Sequence, residues 1–238
     1  MSIKFNLKDI QQALESHQLD RLIIRKNVRL SGVPLTVLQQ AKRSKVKIKQ
    51  LMSKAFDKEY GESVNLVGIL SAVDHVPIDH ILQHPEQYPI LVIVDHIQDP
   101  YNFGAIIRSA DCLGARAIIY PKDRQCPITE TVVQSAAGAT NHIDICQVTN
   151  LSQAIQQLQS HQFWVYGSVP EGGSPLRQWQ PNFPAALIIS NEHKGLSSGL
   201  YRVVDDVIQI ATVGKTASLN ASVAAGILLH HVFDQKYS

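Results

Sequence analysis

The chain has 238 residues, 45% of them hydrophobic and 18% charged, which is enough apolar material for one large domain or two modest ones with real cores. No apolar run reaches the roughly 20 residues that span a bilayer, and the opening MSIKFNLKDIQQ lacks the apolar segment of a secretory signal. The net charge of +2 hides an asymmetry: residues 1–60 hold 13 Lys and Arg against 5 Asp and Glu, whereas residues 61–238 hold 9 against 15. Cys112, Cys126 and Cys146 are widely spaced and form no CxxC pair, which fits reduced thiols in the cytoplasm better than a disulfide framework or a zinc site. Asn220-Ala221-Ser222 matches a glycosylation acceptor, but in a chain read as cytoplasmic that match is a coincidence.

Residues 1–75 read as a small α/β unit. Leu7, Ile10 and Leu14 predict a helix over 6–17, LDRLIIRK a strand over 19–26, and Leu35, Leu38 and Ala41 a helix over 33–44. VKIKQLM (46–52) and SVNLVGILSAV (63–73) read as strands. The densest basic stretch, AKRSKVKIKQ, carries Lys42, Arg43, Lys45, Lys47 and Lys49, and a one-signed segment of this kind suits a phosphate backbone. Residues 76–89, with three prolines and two histidines, read as a linker with at most a short helical turn.

From residue 90 the pattern becomes a regular βα alternation. ILVIVD (90–95) is continuously apolar and β-branched, as a buried parallel strand demands. A helix over 103–114, a strand over 115–120, a helix over 129–137, a strand near 142–146 and a helix over 150–160 follow. Strands are then predicted over 163–169, 185–190 and 207–211, before a last helix over about 219–234. The class is therefore α/β with a parallel sheet over residues 90–238.

No GxGxxG follows the first of these strands, and no GxxxxGK[ST] motif is present. The first βα connection instead carries Pro100 and Asn102, with Asn102 placed to cap the helix and Arg108 and Asp111 one turn apart on its outer face. Two later strands end in polar loops, Ser190-Asn191-Glu192 and Thr212 to Asn220, and ligands of open α/β sheets gather beyond such strand ends.

The blocks NFGAIIRSADCLGA, LIISNEHKGLS and IQIATVGKTASLNASVAAGILL resemble, in order, the three signature motifs of the SpoU/TrmH-type RNA ribose 2′-O-methyltransferases of the SPOUT class. The resemblance implies a SPOUT-type parallel sheet with a C-terminal trefoil knot, S-adenosylmethionine as cofactor, and a homodimer formed through the C-terminal domain. Residues 1–75 resemble, more weakly, the ribosomal-protein-like RNA-binding domain of the ribosomal RNA members, which favours a 23S ribosomal RNA guanosine-type target. The same residues leave open transfer RNA as substrate, or a non-catalytic RNA-binding ribosome-assembly factor. By the resemblance, Asn102, Arg108, Glu192, Ser218 and Asn220 are catalytic. Gly167, Ser168, Ser190, Asn191, Gly195, Ile210, Ser218 and Leu219 are the cofactor-binding set, and no metal or membrane is implied. Two departures stand out: Ser190 where a Gly is usual, and Ile210-Ala211-Thr212 where Ile-Pro-Met is usual. The apolar breadth of the final helix, from Val223 to Phe233, requires a second covering surface, and His230 and His231 read as interface or surface residues.

Overall fold

The computed structural model describes residues 3–4, 6–15, 18–44, 46–191, 195–216 and 218–238. The fold separates into two compact units, Met1–Asp74 and His75–Ser238.

The first unit runs β1 (Ile3–Lys4), α1 (Leu7–Glu15), β2 (Leu19–Arg25), α2 (Val33–Arg43), β3 (Lys47–Leu51), α3 (Ser53–Tyr60) and β4 (Leu66–Leu70). Its four strands lie in the order β1-β4-β2-β3, with β2 and β3 parallel and the other pairs antiparallel. The alternation of side chains along β2 serves both faces. Leu22 and Ile24 join Ile10, Leu14, Val37 and Ala41 under α1 and α2, while Ile23 joins Phe56, Val67 and Ile69 under α3. Helix α3 has no periodic signature in the sequence, because in SKAFDKEY only Phe56 is buried and a single anchor makes no period. Arg25 compensates for the thin apolar stripe by lying over the Phe56 ring and pairing with Asp57 at 2.5 Å.

The second unit opens with α4 (Ile78–Gln83) and a 3₁₀ turn, Pro85–Gln87. The stretch 76–89, read from sequence as a linker, thus carries structure of its own and sends Ile81, Leu82 and Tyr88 into the core of this unit. Then follow β5 (Ile90–Asp95), α5 (Pro100–Cys112), β6 (Ala117–Pro121), α6 (Glu130–Ser135), β7 (Asp144–Val148) and α7 (Leu151–Ser160). The chain continues through β8 (Trp164–Val169), β9 (Ser174–Pro175), β10 (Ala185–Ser190), α8 (Ser198–Tyr201), β11 (Asp206–Gln209) and α9 (Ala221–Tyr237). The sheet is seven-stranded, in the order β7-β6-β5-β10-β8-β11-β9, and its pairs are all parallel. All residues of β5 and β10 are buried, as central strands covered on both faces require. One face, including Leu91 and Ile93, packs against Ile81 of α4 and Leu151, Ile155 and Leu158 of α7. On the other face α5 packs against both α6 and α9.

Two helix starts differ from prediction in instructive ways. Helix α5 begins at Pro100, three residues earlier than expected, because Asp99 is its N-cap and accepts from the N–H groups of Tyr101 and Asn102. Proline at the first helical position needs no N–H partner, so Asp-Pro is a stronger start than Asn102 three residues on. Asn102 is therefore not the cap. Helix α9 begins at Ala221 with Asn220 as its N-cap. Among the described residues no helix is long and apolar enough to cross a membrane.

Candidate active site

A parallel sheet brings the carboxyl ends of its strands to one edge, and the order β10-β8-β11 sets three of the polar loops side by side there. A cleft opens at that edge. Of the residues expected to hold a cofactor, Ser168, Ser190, Asn191, Gly195, Ile210, Ser218 and Leu219 line it. Gly167 does not: a Cβ there would stand 2.6 Å from Leu196 Cδ2, so this glycine lets the loop after β10 settle onto β8. Val169, Ile189, Ala221 and Ala224 complete an apolar wall that the motifs do not name, although each directly flanks a predicted residue or lies one turn away. Thr212, at the departure from the usual motif, lies on the same wall.

The polar groups of the cleft differ in how far they are satisfied. Ser168 donates its hydroxyl to the Ile188 carbonyl at 3.1 Å. Gly195 has a positive φ of 55°, and its N–H closes a turn onto the Asn191 carbonyl at 2.9 Å. Ser190 is 8% exposed, and its buried Oγ has no hydrogen-bond partner among the described residues. A buried hydroxyl left unpaired is costly, so this oxygen is a ready contact for a polar ligand atom.

Beside the cleft, the start of α9 is tied to the start of α5. Asn220 Oδ1 accepts from the N–H groups of Ser222 and Val223 at 2.9 and 3.4 Å, and from the Ser222 hydroxyl at 2.6 Å. Its Nδ2 donates to Asn102 Oδ1 at 3.0 Å. Cap and bridge thus use different atoms of one amide, and Asn102 is available for the bridge because Asp99 does the capping. Arg108 is exposed on the same helix, six residues or about 9 Å further along its axis. It does not line the cleft and forms no ion pair with Asp111 among the described residues. Glu192 and Lys45, both named from the sequence, lie outside the described residues. In the first unit, Lys42 and Arg43 are exposed in the last turn of α2, and Lys47 and Lys49 share one face of the edge strand β3.

Beside Ser190, which the sequence named, sequence reasoning missed Asp95 and Gln125. Asp95, Gln125 and Ser190 are the buried polar residues among those described, and all three sit at the carboxyl edge of the sheet. Asp95 and Ser190 are register partners in β5 and β10. Burial pushes the Asp95 carboxyl up, and His96 beside it, at 2.5 Å through Nδ1, pulls it back. The Asn191 amide donates to the His96 carbonyl at 3.2 Å, which links the loop after β10 to the loop after β5. The signal was the charge of Asp95 at the end of an apolar strand, a position where a carboxylate must be held by something. His231 and His230 serve α9 itself: His231 Nε2 donates to the Trp179 carbonyl at 2.8 Å, and His230 faces Asp234 one turn on at 3.3 Å. No group of three metal-ligating side chains occurs among the described residues.

Comparison with known proteins places this geometry in a family. The model of the SpoU rRNA methylase family matches residues 89–230. YacO of Bacillus subtilis, named as a TrmH family tRNA/rRNA methyltransferase, is 32% identical over 211 residues, covering 87% of this chain and 85% of its own. Two solved structures share the fold. The SpoU methyltransferase AviRb from Streptomyces viridochromogenes, in complex with the cofactor AdoMet, has a TM-score of 0.60 at 20% identity, over 98% of this chain and 90% of its own. An rRNA methyltransferase from Sinorhizobium meliloti has a TM-score of 0.63 at 24% identity, over 99% and 88%. The family match spans the helix that carries Asn102 and Arg108, the cleft, and the cap of α9, and on it the chain belongs to the SpoU/TrmH family of RNA methyltransferases.

Proposed function

We propose that the protein methylates a ribose 2′-hydroxyl in RNA, ribosomal RNA foremost, using S-adenosylmethionine. The observation that carries this reading is the cleft itself: seven of the eight residues expected to hold the cofactor converge on it, and Asn220 ties its rim to Asn102. The residues fit the cofactor. Ile189, Ile210 and Leu219 offer apolar walls to an adenine ring, while the Ser190 Oγ and the backbone of Asn191 and Gly195 offer polar contacts to its ribose and amino-acid ends. When bound, this cofactor supplies a methyl group activated by a sulfonium centre.

The remaining work belongs to the protein. Asn102, held by Asn220, orients the target ribose through its side-chain amide at the N-terminus of α5. Arg108 engages an RNA phosphate and stabilises the alkoxide as the 2′-hydroxyl loses its proton. A guanidinium scarcely deprotonates, so its part is electrostatic. Ser218 on the cleft wall and Glu192 complete the set carried by the motifs. The first unit, with Lys42, Arg43, Lys47 and Lys49, docks RNA. Val223 and Ile227, 50% and 37% exposed one turn apart on α9, support a second copy of the chain as the cover of that helix. The trefoil knot belongs to the same proposal, supported by the insertion of β10 between β5 and β8 and by the return of α9 to α5.

Titration calorimetry with S-adenosylmethionine, paired with transfer of its labelled methyl group to RNA, tests the reading. Binding is expected, and Arg108→Ala is expected to keep it while lowering kcat about 100- to 1000-fold, the range for removing one charge-stabilising donor. No heat at millimolar cofactor would remove the proposed activity, and full turnover in the variant would remove the role of Arg108.

A further inference from the structure

The loop that follows β6 reads Lys122-Asp123-Arg124-Gln125-Cys126, and of it only the buried Gln125 has entered the site described so far. It is fastened to the loop ahead of α5 by three hydrogen bonds. The Ile97 N–H donates to Gln125 Oε1 at 2.8 Å, the Cys126 N–H donates to the Ile97 carbonyl at 2.9 Å, and Gln98 Nε2 donates to the Arg124 carbonyl at 2.6 Å. Gln125, 6% exposed, is the buried peg of this joint, and the Cys126 thiol is close enough to feel the charge of Asp99, the cap of α5. The loop is therefore held against the helix start that bears Asn102.

Arg124 sits in that loop with φ at +59° and an exposed side chain. A left-handed backbone suits glycine or asparagine and costs a long side chain about 1 kcal/mol. The two hydrogen bonds that flank it, through its own carbonyl and through Gln125, hold the backbone in that state. Among the described residues the Arg124 guanidinium has no hydrogen-bond or ion-pair partner, which leaves its charge open to an anionic ligand. The loop belongs to the carboxyl edge of the sheet, one strand over from β5, and lies beside the loop that leads into α5 and Asn102.

We infer that Arg124 is a substrate-positioning residue that binds a backbone phosphate of the RNA beside the target nucleotide, with Gln125 and Gln98 holding its loop against the N-terminus of α5. The inference rests on the RNA-methylating reading above. A guanidinium matches phosphate geometry bidentately, and a phosphate contact fixes register without reading a base.

The test is Arg124→Asn, a residue that accepts the left-handed backbone and carries no charge. Wild type and variant are compared in transfer of labelled methyl from S-adenosylmethionine to total RNA from cells lacking the protein, over a series of salt concentrations, alongside thermal melts and cofactor calorimetry. The variant is expected to melt no lower than wild type and to bind the cofactor equally. It is expected to need about tenfold more RNA for half-saturation at unchanged kcat, with a log–log salt slope shallower by about one. Unchanged half-saturation and slope would overturn the inference, as would a lower melting point that accounts for the weaker activity. A wild type that binds the cofactor but transfers nothing to RNA would overturn the reading beneath it, and is told apart because both proteins then fail alike.

Discussion

Asn220 divides its amide between two duties, Oδ1 serving the first turn of α9 and Nδ2 serving Asn102. The two are separable by chemistry. Asn220→Asp keeps an acceptor for the Ser222 and Val223 N–H groups, and Asp caps helices as well as Asn does. It removes the donor to Asn102 and sets a carboxylate against Asn102 Oδ1. We expect a thermal midpoint close to wild type and methyl transfer lowered about tenfold, as the removal of one hydrogen bond in a site warrants. Asn220→Ala should in addition lose about 1 kcal/mol of stability with the cap. A melt and a transfer assay on the pair decide the matter: full activity in the Asp variant would leave Asn220 as a cap alone.

Helix α5 carries Asn102 in its N-terminal turn and its closest packing two residues later. Gly104 lies where α6 comes closest: a Cβ there would stand 2.4 Å from Ser135 Cβ and 2.7 Å from the Val132 carbonyl oxygen. The approach is too close for any side chain, and the Ser135 hydroxyl uses it to reach the Tyr101 carbonyl at 3.1 Å. Gly104→Ala must push the two helices apart. We expect a destabilisation of about 1–3 kcal/mol, the usual cost of overpacking, read as a lower urea midpoint at unchanged slope. Since Asn102 rides on the displaced turn, transfer activity should fall as well. An unchanged midpoint would mean that α6 yields freely and that the fit at Gly104 positions nothing.

At the scale of the whole molecule, charge is partitioned: the excess of Lys and Arg lies in residues 1–60, while residues 61–238 carry the excess of Asp and Glu. A net negative catalytic unit does not attract RNA by its overall charge, so the basic unit must supply the long-range attraction. Replacing Lys42, Arg43, Lys45, Lys47 and Lys49 by Glu is expected to weaken RNA binding and to flatten its salt dependence, by about 0.7–0.9 in the log–log slope for each phosphate that is no longer neutralised. Cofactor calorimetry should not change, because these residues lie outside the unit that holds the cleft. Filter binding over a salt series checks this, and unchanged affinity would leave the first unit without an RNA-docking role.

What residues decide locally was legible in the chain. The apolar runs at 90–94 and 185–189 read as buried parallel strands, and the polar loops after them followed from residue types a few positions apart. Short elements were not legible: α3 and α4 make at most about two turns, too few for a hydrophobic period to register. At the start of α5 two capping residues stood three apart, and the local chemistry that favours Asp99-Pro100, a proline that needs no N–H partner, outweighs Asn102. The order of the sheet was beyond the sequence altogether. Inserting β10 between β5 and β8 is a matter of packing between segments some 20 to 100 residues apart, and it is this order that turns Ser168, Ser190, Ile210 and Leu219 into the walls of one cleft. The same long-range packing brings Asn220 to Asn102 across 118 residues and Gln125 to Ile97 across 28, pairings that no periodicity encodes because each depends on where the other element comes to rest.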